Sequence, residues 1–176
     1  DDGVVHTVDE RIARQRDAGR IEQDAGLRWI EGQRARRAKV EKKPVPRAKL
    51  DTLPLALDAY GANLAHFIAA ARQAGVEPIF VAQAIQARFA NDADLSKLWM
   101  GAMDGGAAYL GADDMVELLS KFNERMREVA TREKVAFIDL PALLDEQNDL
   151  YYDGIHFNEN GARAAARSIA SELAAR

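Results

Sequence analysis

An acid stands three residues before a histidine in the stretch Tyr151-Tyr152-Asp153-Gly154-Ile155-His156-Phe157-Asn158-Glu159-Asn160-Gly161. In a short polar turn, that spacing lets a carboxylate bond one imidazole nitrogen while the other faces a cleft. This is the geometry of a general base and the group that orients it. Imidazole is the side chain that changes charge near neutral pH, and the other two histidines, His6 and His66, lie outside this block. Blander readings exist for the same residues. Asp153-Gly154 is a common turn pair, and His156 can pack beside a helix start and bond a backbone carbonyl. A metal cluster of Asp149, Asp153, His156 and Glu159 has too few histidines for a transition metal and lacks calcium-loop spacing. No metal or cofactor is therefore expected.

The elements that must position this pair follow from periodicity. Residues 9–39 predict a helix rich in Arg, Glu, Gln and Ala, broken near Gly19 or Gly26, and Pro44 and Pro46 mark a linker after it. Leu55, Leu57, Tyr60, Leu64, Phe67, Ile68 and Ala71 recur at three and four residues and predict a helix over 54–74, ended by Gly75. Pro78-Ile79-Phe80-Val81-Ala82 and Val135-Ala136-Phe137-Ile138-Asp139-Leu140 are short apolar runs of the kind found in buried parallel strands. A helix is expected over 113–131 between them, and an Ala-rich helix over 159–175 after the Asp-x-x-His block. Residues 84–112, with Gly101, Gly105, Gly106 and Gly111, look irregular. Trp99 in that stretch is either a lid residue or a core plug.

This order predicts an α/β fold with a doubly wound parallel sheet, whose ligands sit beyond the carboxyl ends of the strands. Gln83 falls at one such end, and Asp153 and His156 fall in a loop after the other. Two parallel strands do not make an independent sheet. Either Gly3–Val8 supplies a third, or the sheet needs strands from elsewhere.

Bulk composition is that of a globular protein: 48% apolar and 30% charged over 176 residues, enough for one domain. The absence of cysteine excludes disulfides, thiolate nucleophiles and Cys-based metal sites. No apolar run approaches the roughly 20 residues that span a bilayer, so no membrane partner is expected. Asp1-Asp2-Gly3 has no secretory-leader character, and the compartment stays open. Residues 1–50 carry 13 Lys/Arg against 9 Asp/Glu, and the remainder 11 against 19. Acids interleave with the bases in the first segment, which weakens its field and argues against a nucleic-acid partner.

From Tyr60, Asn63 and Leu64 onward the chain resembles the SGNH (GDSL-type) hydrolase family. The residues that carry the resemblance are Gly75-Val76 leading into a strand, Gln83 at its end, Phe122-Asn123, and the strand-like run 135–140. Leu98-Trp99-Met100-Gly101 adds to them, and Asp153-Gly154-Ile155-His156-Phe157-Asn158 with Asn160-Gly161 closes the pattern. The resemblance covers roughly residues 54–175. It implies a three-layer, flavodoxin-like α/β sheet and a serine-type hydrolase of a small acyl or carbohydrate ester. Asp153 and His156 would be the catalytic Asp and His of a Ser–Asp–His triad. The family's Gly-Asp-Ser and Gly-x-Asn-Asp blocks do not occur here. Ser96, Ser120, Ser168 and Ser171 do not follow a strand in a tight Gly-rich turn, and Asn91-Asp92 follows the wrong strand. The expectation is a C-terminal part of a longer protein, with the Ser, the oxyanion donors and the N-terminal strands in a missing N-terminal segment. Residues 1–50 would be a charged helical segment or insertion, and 51–176 the hydrolase-like part.

An O-acyltransferase would use the same residues, and a catalytically inactive or scaffolding half-domain is the main alternative. A third is a nucleic-acid or partner-binding module built on the Arg-rich helix. Within the triad reading, Asp153→Asn is expected to cost less than His156→Ala, because some of the correct tautomer survives.

Overall fold

The computed structural model describes residues 25–39, 53–86, 100–144 and 150–176. In chain order these form α1 (Ala25–Lys39), α2 (Leu53–Gln73), β1 (Ile79–Val81), β2 (Ala102–Met103), a 3-10 turn (Asp104–Gly106), β3 (Ala108–Tyr109), α3 (Ala112–Glu133), β4 (Ala136–Ile138), a single helical turn α4 (Leu140–Leu143) and α5 (Glu159–Ala174). They fall into two compact units.

One unit holds residues 53–84, 116–144 and 165–176. Its core is Ile68, Phe80, Val129, Ala130 and Val135, with Leu64, Met126 and Phe137 packed against it. Leu64 and Ile68 from the predicted face of α2, and Met126, Val129 and Ala130 of α3, thus pack with Phe80 and Phe137 of the strands, whereas Leu55 and Phe67 of that predicted face are exposed. β1 and β4 are parallel neighbours, with Ile79 opposite Ala136, Phe80 opposite Phe137 and Val81 opposite Ile138. A further bond from Ala82 N–H to the Ile138 carbonyl, at 2.9 Å, carries the pairing past the strand end. The two runs predicted to be parallel strands are therefore paired in that sense, in a sheet that has two strands among the described residues, within an α/β arrangement.

Helices α2 and α3 end by the same device. At Gly75, φ is +74°, its N–H donates to the Arg72 carbonyl at 2.9 Å, and Val76 N–H reaches the Ala71 carbonyl at 2.9 Å. At the end of α3, Val135 N–H reaches the Ala130 carbonyl at 2.8 Å, with Lys134 at φ +57°. These are the paired bonds of a Schellman motif. The first was legible from Gly75. The second was not, because lysine carries no signal for left-handed backbone and adopts it at a cost of roughly 1–2 kcal/mol. The strand expected over 135–140 is shorter than predicted. Leu140 already opens α4, with Pro141 in its first turn, where a missing N–H and a fixed φ are tolerated.

The other unit holds residues 25–39, 85–86, 100–115 and 150–164. The stretch 84–112, expected to be irregular, contains an antiparallel hairpin in which Ala102 pairs with Tyr109 and Met103 with Ala108. Strands of two residues are too short to show alternation, and three positive-φ glycines, Gly101, Gly105 and Gly106, mask them as loop. Arg37 of α1 closes this hairpin at its base. Its guanidinium donates to the carbonyls of Met100 and Leu110 and lies over the Tyr109 ring, 5.2 Å from its centroid. Burial lowers the Arg37 pKa from its ordinary value, yet arginine remains charged across the range in which proteins fold. Gly26, one of the two predicted break points, lies inside α1. Gly19, the candidate strand at Gly3–Val8 and the Pro44–Pro46 linker lie outside the described residues.

Candidate active site

Residues 150–158 form a closed reversal of the chain. Tyr151 and Phe157 make an antiparallel bridge. Tyr152 N–H donates to the His156 carbonyl at 2.8 Å, and Asn158 N–H donates to the Leu150 carbonyl at 3.0 Å. The rings of Tyr151 and Phe157 pack at a tilt, with centroids 5.1 Å apart and 32° between their planes. Burial pushes the Tyr151 hydroxyl up to about 12, so it stays neutral at any working pH. This frame holds Asp153-Gly154-Ile155-His156 at its tip.

Asp153 is the acceptor for the whole tip. Its Oδ1 takes the backbone N–H groups of Ile155 and His156, each at 2.8 Å. Its Oδ2 lies 2.9 Å from His156 Nδ1. An ionised carboxylate can only accept, so Nδ1 carries the proton of that bond. The carboxylate side chain is 4% exposed, whereas the imidazole side chain is 59% exposed. A buried acid therefore orients an accessible ring, the relation that the i, i+3 spacing predicts.

The start of α5 anchors the other end of this loop. Asn158 is its N-cap, its side-chain oxygen accepting the Gly161 N–H at 2.9 Å, which satisfies a donor that the helix itself cannot. Gly161 is needed for close approach: a Cβ built there would stand 2.1 Å from the Leu150 carbonyl oxygen. The Asn160-Gly161 pair thus has a packing reason that spacing alone does not reveal. On the other side of the tip, Gln86 N–H donates to the Gly154 carbonyl at 3.0 Å.

Other residues singled out by sequence fall elsewhere. Gln83 is exposed, and its backbone is held twice by Asn123, whose Oδ1 accepts Gln83 N–H at 3.0 Å and whose Nδ2 donates to the Gln83 carbonyl at 2.8 Å. His66 is exposed on α2, Ser120 lies within α3, and Ser168 and Ser171 lie within α5. No serine among the described residues follows a strand in a tight turn. Asn91, Asp92, Ser96, Trp99 and Asp149 lie outside the described residues. Among the described residues, no three His, Asp or Glu side chains are grouped to hold a metal, and no helix is long and apolar enough to cross a membrane.

The supporting roles of Gln86, Asn158 and Gly161 do not follow from the spacing of the Asp-x-x-His block. Asn158 carried a usable signal, an Asn directly before a helix-forming run. Gln86 carried none, because a glutamine in an irregular stretch is ordinarily solvated.

Neither a curated protein nor a solved structure matches the chain. The profile of the GDSL-like Lipase/Acylhydrolase family matches residues 12–164. That span takes in the parallel strand pair and the Asp153–His156 turn, and it extends well ahead of the residues that carried the resemblance. With most of its length matched, the chain belongs to the GDSL-like Lipase/Acylhydrolase family.

Proposed function

We propose that Asp153 and His156 are the acid and base of a serine-type ester hydrolase acting on a small acyl or carbohydrate ester. The observation that carries this reading is the 2.9 Å contact between Asp153 Oδ2 and His156 Nδ1 in a turn whose carboxylate also holds two backbone N–H groups. With Nδ1 protonated, the lone pair resides on Nε2. His156 Nε2 accepts the proton of a serine hydroxyl as that oxygen attacks the acyl carbon. It then returns the proton to the departing alkoxide, and repeats the cycle with water to release the acid. Asp153 holds the tautomer and stabilises the imidazolium formed in each half-reaction.

The serine and the oxyanion donors come, in this proposal, from a segment N-terminal to the chain. The same segment supplies the strands that extend β1 and β4 into a three-layer, doubly wound sheet. An O-acyltransferase would differ only in the acceptor that replaces water. An inactive, scaffolding domain is the second reading, supported by the helical placement of Ser120, Ser168 and Ser171.

The test is ester turnover by the full-length protein. His156→Ala should lower p-nitrophenyl acetate hydrolysis on the order of 10³-fold or more, since triad residues act as a unit. Its folding should remain intact, because the ring is largely exposed. The 176-residue chain alone should be inactive and unlabelled by a serine-directed phosphonate. Full-length protein with no serine that the phosphonate labels would favour the scaffolding reading.

A further inference from the structure

We infer that Gln86 is a positioning residue for the Asp153–His156 pair, acting through the peptide unit that joins Gly154 to Ile155. This rests on the hydrolase reading for its consequence in turnover, but not for its geometry. A peptide unit is planar and trans, so its carbonyl and its N–H point in opposite directions and cannot be re-aimed independently. Gln86 N–H holds the Gly154 carbonyl at 3.0 Å. The N–H at the other end of that same unit, on Ile155, donates to Asp153 Oδ1 at 2.8 Å. The unit is a rigid lever: where Gln86 holds one end, the other end aims a donor at the carboxylate.

The lever matters because Gly154 is the residue least able to hold it. Glycine has no Cβ to restrict φ and ψ, so the 154–155 peptide can rotate at little steric cost. A rotated unit would withdraw the Ile155 donor from Oδ1 and leave the Gly154 carbonyl, in a buried residue, without the Gln86 N–H. Oδ1 would then keep only the His156 N–H, and with one backbone donor in place of two the carboxylate would hold its second oxygen less firmly in register with His156 Nδ1. Gln86 is itself 1% exposed. A buried primary amide is costly unless its polar atoms are satisfied, so it fixes the backbone that carries it far more firmly than a solvated glutamine could.

The experiment is amide hydrogen exchange on the 176-residue chain, comparing wild type with Gln86→Ala and Gln86→Met. Gln86→Ala should speed exchange at Ile155 about ten-fold and also loosen His156, while Val129 and Ala130 in α3 keep their protection. The His156 Nδ1 proton resonance should broaden in parallel. Gln86→Met keeps the volume and removes the amide, and it decides the matter if the alanine variant does not fold. Faster exchange at Ile155 in Gln86→Met supports the lever. Wild-type protection there shows that the amide only fills space and overturns the proposal, as does unchanged Ile155 exchange in a folded Gln86→Ala. In full-length protein, the Gln86 variants should lower kcat with KM within about two-fold. If the hydrolase reading fails, wild type shows no turnover, yet the exchange result at Ile155 stands by itself.

Discussion

Gly161 and the carbonyl of Leu150 occupy space that no side chain can share: a Cβ on Gly161 would come within 2.1 Å of that oxygen and 2.7 Å of Phe157 Cδ1. Leu150 also accepts the Asn158 N–H that closes the 150–158 loop. Gly161→Ala should therefore displace backbone rather than a flexible side chain. The expected loss is about 1–3 kcal/mol or more, the range of overpacking in a tight site. A denaturation midpoint within experimental error of wild type would show that the loop yields without cost. Faster exchange at the Asn158 amide would place the disruption where the geometry puts it.

Asp153→Asn tests which atom does what in the turn. Two backbone donors, Ile155 and His156, converge on Oδ1. In the variant the amide oxygen keeps that place, and the NH2 group then faces His156 Nδ1. Two donors cannot share a bond, so the ring shifts to the tautomer protonated on Nε2, which cannot accept a proton from a nucleophile there. The loss in turnover should approach about 10⁴-fold, comparable with His156→Ala. This replaces the milder loss expected from residue types alone. Nitrogen-15 shifts of the His156 ring report the tautomer directly, and a ring still protonated on Nδ1 would contradict the assignment.

Tyr151 supplies a pH dependence with a definite sign. Burial raises its hydroxyl to about 12 in the folded chain, against about 10 when unfolded. The folded state thus holds the proton more tightly. The associated stability is fully present below pH 10 and is lost as pH rises from 10 through about 12, amounting to roughly 2–3 kcal/mol at most. Tyr60 is shifted the same way by burial, so the comparison must be with Tyr151→Phe. That variant should show a shallower alkaline decline of stability than wild type. Identical slopes for the two proteins above pH 10 would rule out Tyr151 as the source.

Asn123 acts as a two-point clamp on the end of β1, accepting from Gln83 N–H and donating to Gln83 C=O. A side-chain amide has the donor and acceptor of a peptide and can stand in for a neighbouring strand. Asn123→Ala should cost about 1–2 kcal/mol in urea denaturation, as two partly exposed hydrogen bonds do. Asn123→Asp retains the acceptor for Gln83 N–H but turns a carboxylate oxygen on the Gln83 carbonyl, so it should cost no less than Asn123→Ala. Wild-type stability in Asn123→Asp would mean that the bond to the Gln83 carbonyl contributes nothing.

Local pattern determined a good deal of this protein. The apolar runs at 78–82 and 135–140 pair in parallel because a helical stretch separates them, and a crossover of that length joins strands in that sense. Asp153 and His156 meet because three residues of chain in a Gly-containing turn leave a carboxylate within reach of little else. Gly75 announced the end of α2 because left-handed backbone is cheap only there. Tertiary structure decided the rest. Arg37, part of an apparently solvated basic face, closes a hairpin whose strands are too short to leave a period in the sequence. Lys134 adopts left-handed backbone because the α3–β4 junction demands it. Gln86, Asn158 and Gly161 take their roles from backbone atoms of Gly154 and Leu150, with Gln86 and Gly154 68 positions apart in the chain. Bonds to backbone leave no trace in residue type at the partner position, since every residue offers the same carbonyl. The Asp153–His156 contact was therefore legible from the residues of the turn, and the means of holding it still was not.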